Sequence, residues 1–414
     1  MDILNKIKLK INYNSLLLTM ILLLQNISIF FSDVVHRITI IQGICLALYL
    51  VYLFFYKYNI NIHKFLLGWF FYVFIVCLNI IEGGSIEFII TFFICNIVML
   101  FQMQFNNLAL IQLKMMKLFT LIHLMMSIFV WYFPKTMVDS VMISLLKSNF
   151  NTNYSWRIIS HMNPGMTTQP GTNAMYLVIF FIIVFINLIL YKNEKIKNML
   201  MLLLSFSMIL TTSKRSAIIL SIVSIAIFYI IVKPNKLKIN AKNLLCTFFI
   251  FIFIAFGLYL LYTKTTVFDS FIEKTINLGK KNEISNGRFE LWNMAWLYFK
   301  NNPISGIGFK SFYSLSGFDV HNTYIQILVE TGMIGFIIFL IGLMLILIKS
   351  VRRLQFIYNK KCDNSIKEAV GTGFTIMIFL VIYGFFGNTF IDYLPIMIFC
   401  ICVVLVNGKY VRED

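Results

Sequence analysis

Acidic side chains are what this sequence has least of. Only 17 Asp and Glu stand against 35 Lys and Arg, and charged residues make up 13% of the 414 positions. Soluble domains carry about 25% charged residues, so this shortage, with 59% hydrophobic residues and a mean hydropathy of +0.84, excludes a soluble globule. Long charged stretches are absent, which excludes a disordered chain. Clustered acids of the kind that hold Mg2+ are missing, as are the Walker loop, HExxH and GxSxG. His36, His63, His123 and His161 are scattered without metal-ligand spacing. Neither a metal nor a cofactor is therefore expected. No CxxC pair occurs. Cys45, Cys77, Cys95, Cys246, Cys400 and Cys402 lie in apolar runs and Cys362 in a basic loop, so neither disulfides nor a thiolate metal site is expected. Lys6, Lys8 and Lys10 precede the first apolar run, but no small-x-small cleavage site follows, so that run reads as an uncleaved helix.

What the chain has in abundance is apolar runs of the length that spans a bilayer, about 18–20 residues. About twelve spans are expected in one polytopic domain covering residues 1–414, an all-α integral membrane protein. They fall near Leu16–Phe31, Ile38–Tyr56, Phe65–Ile81, Ile86–Met103, Lys117–Phe133, Ala174–Leu190, Met199–Thr211, Ala217–Val232, Leu244–Tyr262, Thr331–Ile348, Ala369–Phe386 and Phe390–Val406. The formal charge of +18 resembles a nucleic-acid signal. Its distribution fits the positive-inside rule instead, because most Lys and Arg fall in short loops on one side. The densest loop holds Lys349, Arg352, Arg353, Lys360, Lys361 and Lys367. Both termini are then cytoplasmic, the bilayer is the partner, and nucleic acid is not. Two long loops, 134–173 and 263–320, face the other side; loops this long are usually functional or disordered.

The second loop is the longest break in the apolar pattern, and its motif continues to residue 335. Phe289, Trp292, Trp296 and Phe299 are spaced for one helical face, with Asn286 as N-cap and Asn301-Asn302-Pro303 as the stop. Such a short helix would lie in the membrane interface and carry Arg288 in its first turn, beside lipid head groups. Arg288 either meets a phosphate there or merely snorkels. Gly306-Ile307-Gly308 with Lys310 is either a nest of N–H groups for phosphate or an ordinary tight turn. Asp319 is expected to cap the next helix, with His321 in its first turn. A helical wheel then puts His321, Ile325, Leu328, Gly332 and Gly335 on one stripe, open to close backbone approach at the glycines. Glu330 falls on the opposite face, about 13 Å below His321. His321, in water-accessible space at the membrane rim, suits a general base.

Lys214 and Arg215 occupy the tight turn Thr211–Ser216, on the side where the positive-inside rule disfavours cations. An anionic substrate group would offset that cost, and a pyrophosphate suits Arg geometry. In the first long loop Arg157 is a weaker ligand candidate, and Asn173 reads as an N-cap.

His321-Asn322-x9-Gly332-x-x-Gly335 resembles the signature of the O-antigen ligase and polysaccharide polymerase (Wzy-like) superfamily. Asn286-Gly287-Arg288, Trp292, Pro303 and Gly306-Ile307-Gly308 precede it in that superfamily's order, and Ser213-Lys214-Arg215-Ser216-Ala217 resembles its Ser-Arg-Gly/Ser-Ala element with Lys214 inserted. The resemblance implies metal-independent, inverting glycosyl transfer on the outer side of a bacterial cytoplasmic membrane. The donor would be a glycan on undecaprenyl diphosphate, which is carrier rather than cofactor. His321 would deprotonate the acceptor hydroxyl, and Arg215 and Arg288 would hold the departing diphosphate. Lys214, Arg157, Asn322 and Lys310 would contact substrate. Lipid-linked donor and acceptor glycans are the implied partners, with a chain-length regulator and a flippase as further candidates. A polymerase for capsule, exopolysaccharide or O-antigen is the expectation. A ligase, a metal-dependent glycosyltransferase using Asp33, and a flippase or transporter are the alternatives. Spans nearly free of charge speak against transport.

Overall fold

The structure is a computed structural model that describes residues 13–32, 38–56, 63–138, 151–160, 162–232 and 288–410. The span expected at Leu244–Tyr262, Asp33, and the cap at Asn286 lie outside the described residues. Secondary structure among those described is helical throughout, apart from one isolated bridge between Asn106 and Lys409. The helices are α1 (Tyr13–Phe30), α2 (Ile38–Tyr56), α3 (Leu67–Leu78), α4 (Ile86–Gln102), α5 (Leu108–Tyr132), α6 (Pro134–Val138), α7 (Asn151–Ile159) and α8 (Pro170–Leu190). They continue with α9 (Lys195–Thr211), α10 (Arg215–Val232), α11 (Arg288–Asn301), α12 (Ser311–Ser316), α13 (Thr323–Asn359), α14 (Asn364–Tyr383) and α15 (Tyr393–Asn407).

Five of them, α5, α8, α10, α13 and α14, are long and apolar enough to cross a membrane, and shorter apolar helices accompany them at Leu17–Phe30, Ile38–Phe54, Lys64–Leu78, Ile86–Gln102 and Tyr393–Asn407. The centre of the protein is α8, α14 and α15. In α15 every residue from Ile396 to Val406 is buried, so this apolar run has no polar face to give away. Around this centre many exposed Leu, Ile, Met and Phe side chains point outward, as a bilayer-facing surface requires. Helices α3 and α13 cross where Gly68 and Gly342 meet; a Cβ on Gly68 would stand 3.1 Å from the Gly342 backbone. Close helix approach in lipid needs small residues at that point.

The structure departs from the expected spans in two instructive places. Helix α5 begins at Leu108, nine residues before the expected Lys117, because Lys114 and Lys117 do not interrupt it. Lys117 pairs with Glu368 on α14, whose other oxygen accepts from the Tyr191 hydroxyl at 3.0 Å, so an ion pair offsets the charge between packed helices. Helix α13 starts at Thr323 and runs to Asn359 with a break at Gly332, and the uninterrupted part after that break is about 40 Å long at 1.5 Å per residue. That exceeds a hydrocarbon core of about 30 Å. The excess carries Lys349, Arg352 and Arg353, which sequence reading puts in a loop. The two long loops contain short helices, α6 and α7 in the first and α11 and α12 in the second.

Candidate active site

The site is built on a break. Within α13 the run from Thr323 to Asn359 is interrupted at Gly332, whose φ of 67° and ψ of −175° belong to a region that only glycine occupies readily. The interruption frees backbone groups on both sides, and the turn Pro303–Gly308 takes them up. Ile307 N donates to Val329 O at 3.1 Å, Gly308 N to Glu330 O at 3.0 Å, and Met333 N to Pro303 O at 2.9 Å. The two segments touch so closely that a Cβ on Gly332 would lie 2.1 Å from Ile304 O, and one on Gly306 would lie 2.4 Å from Glu330 O.

One expectation is corrected here, one is met and one open alternative is decided. A single stripe through His321, Ile325, Leu328, Gly332 and Gly335 assumes an unbroken helix, and the break at Gly332 removes the shared axis. Gly332 does admit another backbone, that of the 303–308 turn. The N–H groups of Gly306, Ile307 and Gly308 are all engaged within the protein, Gly306 N donating to Asn302 O at 3.1 Å, which supports the tight turn over the phosphate nest.

Glu330 is fully buried beneath this turn. Its carboxylate accepts from Lys310 N at 2.7 Å, Gln326 Nε2 at 2.9 Å and Phe312 N at 3.3 Å. It thus fastens the turn to α13. A lone acid inside an apolar run is costly unless it is so satisfied. Its position was visible in the sequence, and its task was not.

His321 lies before α13, not in its first turn, and Asp319 is not the cap. Asn322 is: its Oδ1 accepts from Tyr324 N at 3.0 Å and Ile325 N at 3.2 Å. His321 takes φ 56°, the left-handed region that costs a non-glycine residue about 1–3 kcal/mol. The flanking residues hold it there. Val320 N donates to Gln326 Oε1 at 3.2 Å, Val320 O accepts from Trp292 Nε1 at 3.2 Å, and Thr323 N donates to Gly384 O at 2.8 Å. The imidazole remains exposed to solvent. Protein crowding on one side and then the charge of Arg288 lower its pKa below the usual 6.5; Asp319 opposes, Lys214 adds, and Asp392 opposes. At neutral pH the ring is therefore uncharged and able to accept a proton.

The cations arrive from separate parts of the chain. Arg288 opens α11, whose Trp292, Ala295 and Phe299 pack with Phe312, Val320 and Val329. Phe289 and Trp296 stay exposed beside it, with ring centres 5.4 Å from Trp292 and 5.2 Å from Phe299, so the four aromatics share one face. Lys214 and Arg215 follow the left-handed Ser213 at the start of α10. The hydroxyl of Tyr383, at the end of α14, hydrogen-bonds Ser216 and feels the Arg288 charge. Lys214 also borders the first turn of α8, where a Cβ on Gly171 would stand 3.4 Å from its Cε.

Lys310 is placed differently from the expectation. Its ammonium pairs with Asp319 at 3.1 Å and Asp392 at 2.8 Å. Burial works against its charge, but Asp392 and then Asp319 hold its pKa above the ordinary lysine value. Arg157, on α7, donates to Thr168 O and so secures the turn ahead of α8. Asn173 does not cap α8, which starts at Pro170; its side chain is buried, linking Ser127 Oγ at 3.1 Å to Asn163 O at 3.2 Å. Proline fits the first helical position because its missing N–H would be unpaired there anyway.

A bundle of apolar helices, five of them long and apolar enough to cross a membrane, defines a multi-pass membrane protein of the all-α class. Residues 199–340 match the O-antigen ligase family, consistent with the O-antigen ligase and Wzy superfamily, and the match spans Lys214, Arg215, Arg288 and His321. No curated protein matches the chain.

Proposed function

We propose that this protein is a polysaccharide polymerase that joins undecaprenyl-diphosphate-linked repeat units by metal-independent, inverting glycosyl transfer. The observation that carries the reading is the meeting of a neutral, solvent-exposed His321 with Arg288 and Lys214 from distant segments. In the step envisaged, the acceptor hydroxyl gives its proton to His321 as its oxygen attacks the anomeric carbon of the donor. The bond from that carbon to the diphosphate breaks, and the lipid diphosphate leaves with its electron pair. Arg288 and Arg215 offset the charge that develops there, and Lys214 adds to the field. No metal is needed for either half of this chemistry. Asn322 acts by fixing the helix start beside the base. A ligase moving finished glycan to a lipid or cell-wall acceptor shares the same chemistry, and the family match fits that second reading equally well.

Arg288→Gln and Arg215→Ala should weaken donor binding and lower turnover, each by a charge-assisted contact of about 1.5–3 kcal/mol. Arg288→Gln also removes a charge that lowers the His321 pKa, so that pKa rises and the acid limb of kcat/KM moves to higher pH. Donor titration and a pH–rate profile check both. An unmoved acid limb would separate Arg288 from the base.

The active site is assigned to the extracytoplasmic side of a bacterial cytoplasmic membrane, with both termini inside. Cysteine at position 300 should then react with an impermeant reagent in intact cells, and cysteine at position 360 should not. The reverse pattern overturns the orientation.

A further inference from the structure

Lys310 bridges two carboxylates that bracket His321. Asp319 lies two residues before it, and Asp392 comes from the segment leading into α15. Asp319 Oδ1 also accepts from Gln326 Nε2 at 3.1 Å, while the Oε1 of that glutamine accepts from Val320 N at 3.2 Å. The residues directly ahead of His321 are thereby gripped from the turn, from α13 and from the approach to α15. The Lys310 side chain is only 17% exposed, and its ammonium lies 5.5 Å from the Phe88 ring centre. A buried ion pair is weak support for stability on its own account. Here two carboxylates face one ammonium, which leaves an excess of negative charge. That excess faces the left-handed residue carrying the imidazole.

We propose that Lys310, Asp319 and Asp392 form a positioning unit for His321, holding its backbone and supplying the negative field that stabilises the imidazolium while the acceptor's proton rests on it. This rests on the reading of His321 as general base. The proton passes from the acceptor hydroxyl to the imidazole and from there to water; burial raises the Asp392 pKa, and the Lys310 ammonium opposes that. The other charged groups facing the ring are Arg288 from α11 and Lys214 from the turn before α10, both of opposite sign. The unit therefore balances the cations that serve the diphosphate. Without it, a histidine facing Arg288 and Lys214 would be a weaker base.

The test uses diethylpyrocarbonate, which acylates an imidazole only in its neutral form, on the full-length protein in lipid nanodiscs. Modification at His321 is followed by mass spectrometry across pH, a readout that needs no substrate. Asp319→Asn and Asp392→Asn should each move the midpoint to lower pH, because each removes a negative charge near the ring. Lys310→Met should move it to higher pH, because two carboxylates lose their counter-ion. Its turnover should fall about 10²-fold, the scale of a misplacement of about 1 Å. Lys310→Arg should restore the midpoint and recover part of the turnover. A variant that merely loosened the fold would not yield shifts of opposite sign. Midpoints that stay put, or that all move one way, overturn the proposal. An active His321→Ala protein alongside midpoints that move as stated sinks the base assignment and leaves the electrostatic unit standing.

Discussion

Gly332→Ala should leave little folded protein in the membrane. Two costs add at this one position. The backbone at φ 67° and ψ −175° is essentially restricted to glycine, and a side chain there costs about 1–3 kcal/mol. The added methyl would also stand 2.1 Å from Ile304 O and 2.7 Å from Gly306 N. Both are backbone atoms, so no rotamer change relieves the contact, and overpacking of this kind costs about 1–3 kcal/mol more. Relief would need the 303–308 turn to move off α13, which breaks the bonds at Ile307, Gly308 and Met333 and exposes Glu330. Gly306→Ala should behave alike, with its methyl 2.4 Å from Glu330 O. Gly317→Ala is the control, since it shares a positive φ of 76° but would meet nothing within 4 Å. It should pay the backbone cost alone. Thermal unfolding in detergent, with membrane protein level, separates the three. Equal midpoints for Gly332→Ala and Gly317→Ala would show that the turn and helix are not locked together.

His321→Ala should fold normally and slow turnover by about 10²–10⁴-fold, the usual contribution of a general base. The local backbone is held by Asn322, Gln326, Trp292 and the carbonyl of Gly384, none of which needs the imidazole. Donor affinity should change little, because in the proposed step the ring meets the acceptor hydroxyl while the cations meet the diphosphate. A binding defect without a rate defect would exchange those roles.

Much of the helical scaffold was legible because an apolar run in lipid has few choices other than a helix. The run lengths near Ala174–Leu190 and Ala217–Val232 fall within α8 and α10. Lysines concealed the start of α5, since Lys117 is satisfied by Glu368 from a segment about 250 residues away, and no local pattern announces such a partner. Of the site, the residues bearing cations and the histidine could be picked out by type and position. Their geometry could not. The wheel through Gly332 failed because helical periodicity is a statement about unbroken helices, and a glycine is compatible with both a continuous helix and a break. Asn322 and Asn173 show the same limit. Each precedes apolar residues, yet only Asn322 caps, because Pro170 already fixes the start of α8. Pro170 was the signal to read. Asp392 offered none, since its partner Lys310 lies 82 residues away.

The account rests on glycosyl transfer from a lipid diphosphate without a metal, and one measurement reaches that directly. Purified protein is mixed in EDTA with lipid-linked repeat units, and a single turnover is followed by resolving glycan length and released lipid diphosphate. The expected result is longer lipid-linked chains and one lipid diphosphate released per bond from the native protein, with almost none from His321→Ala. Transfer that appears only when Mg2+ or Mn2+ is restored, or that proceeds at the native rate without His321, would contradict it.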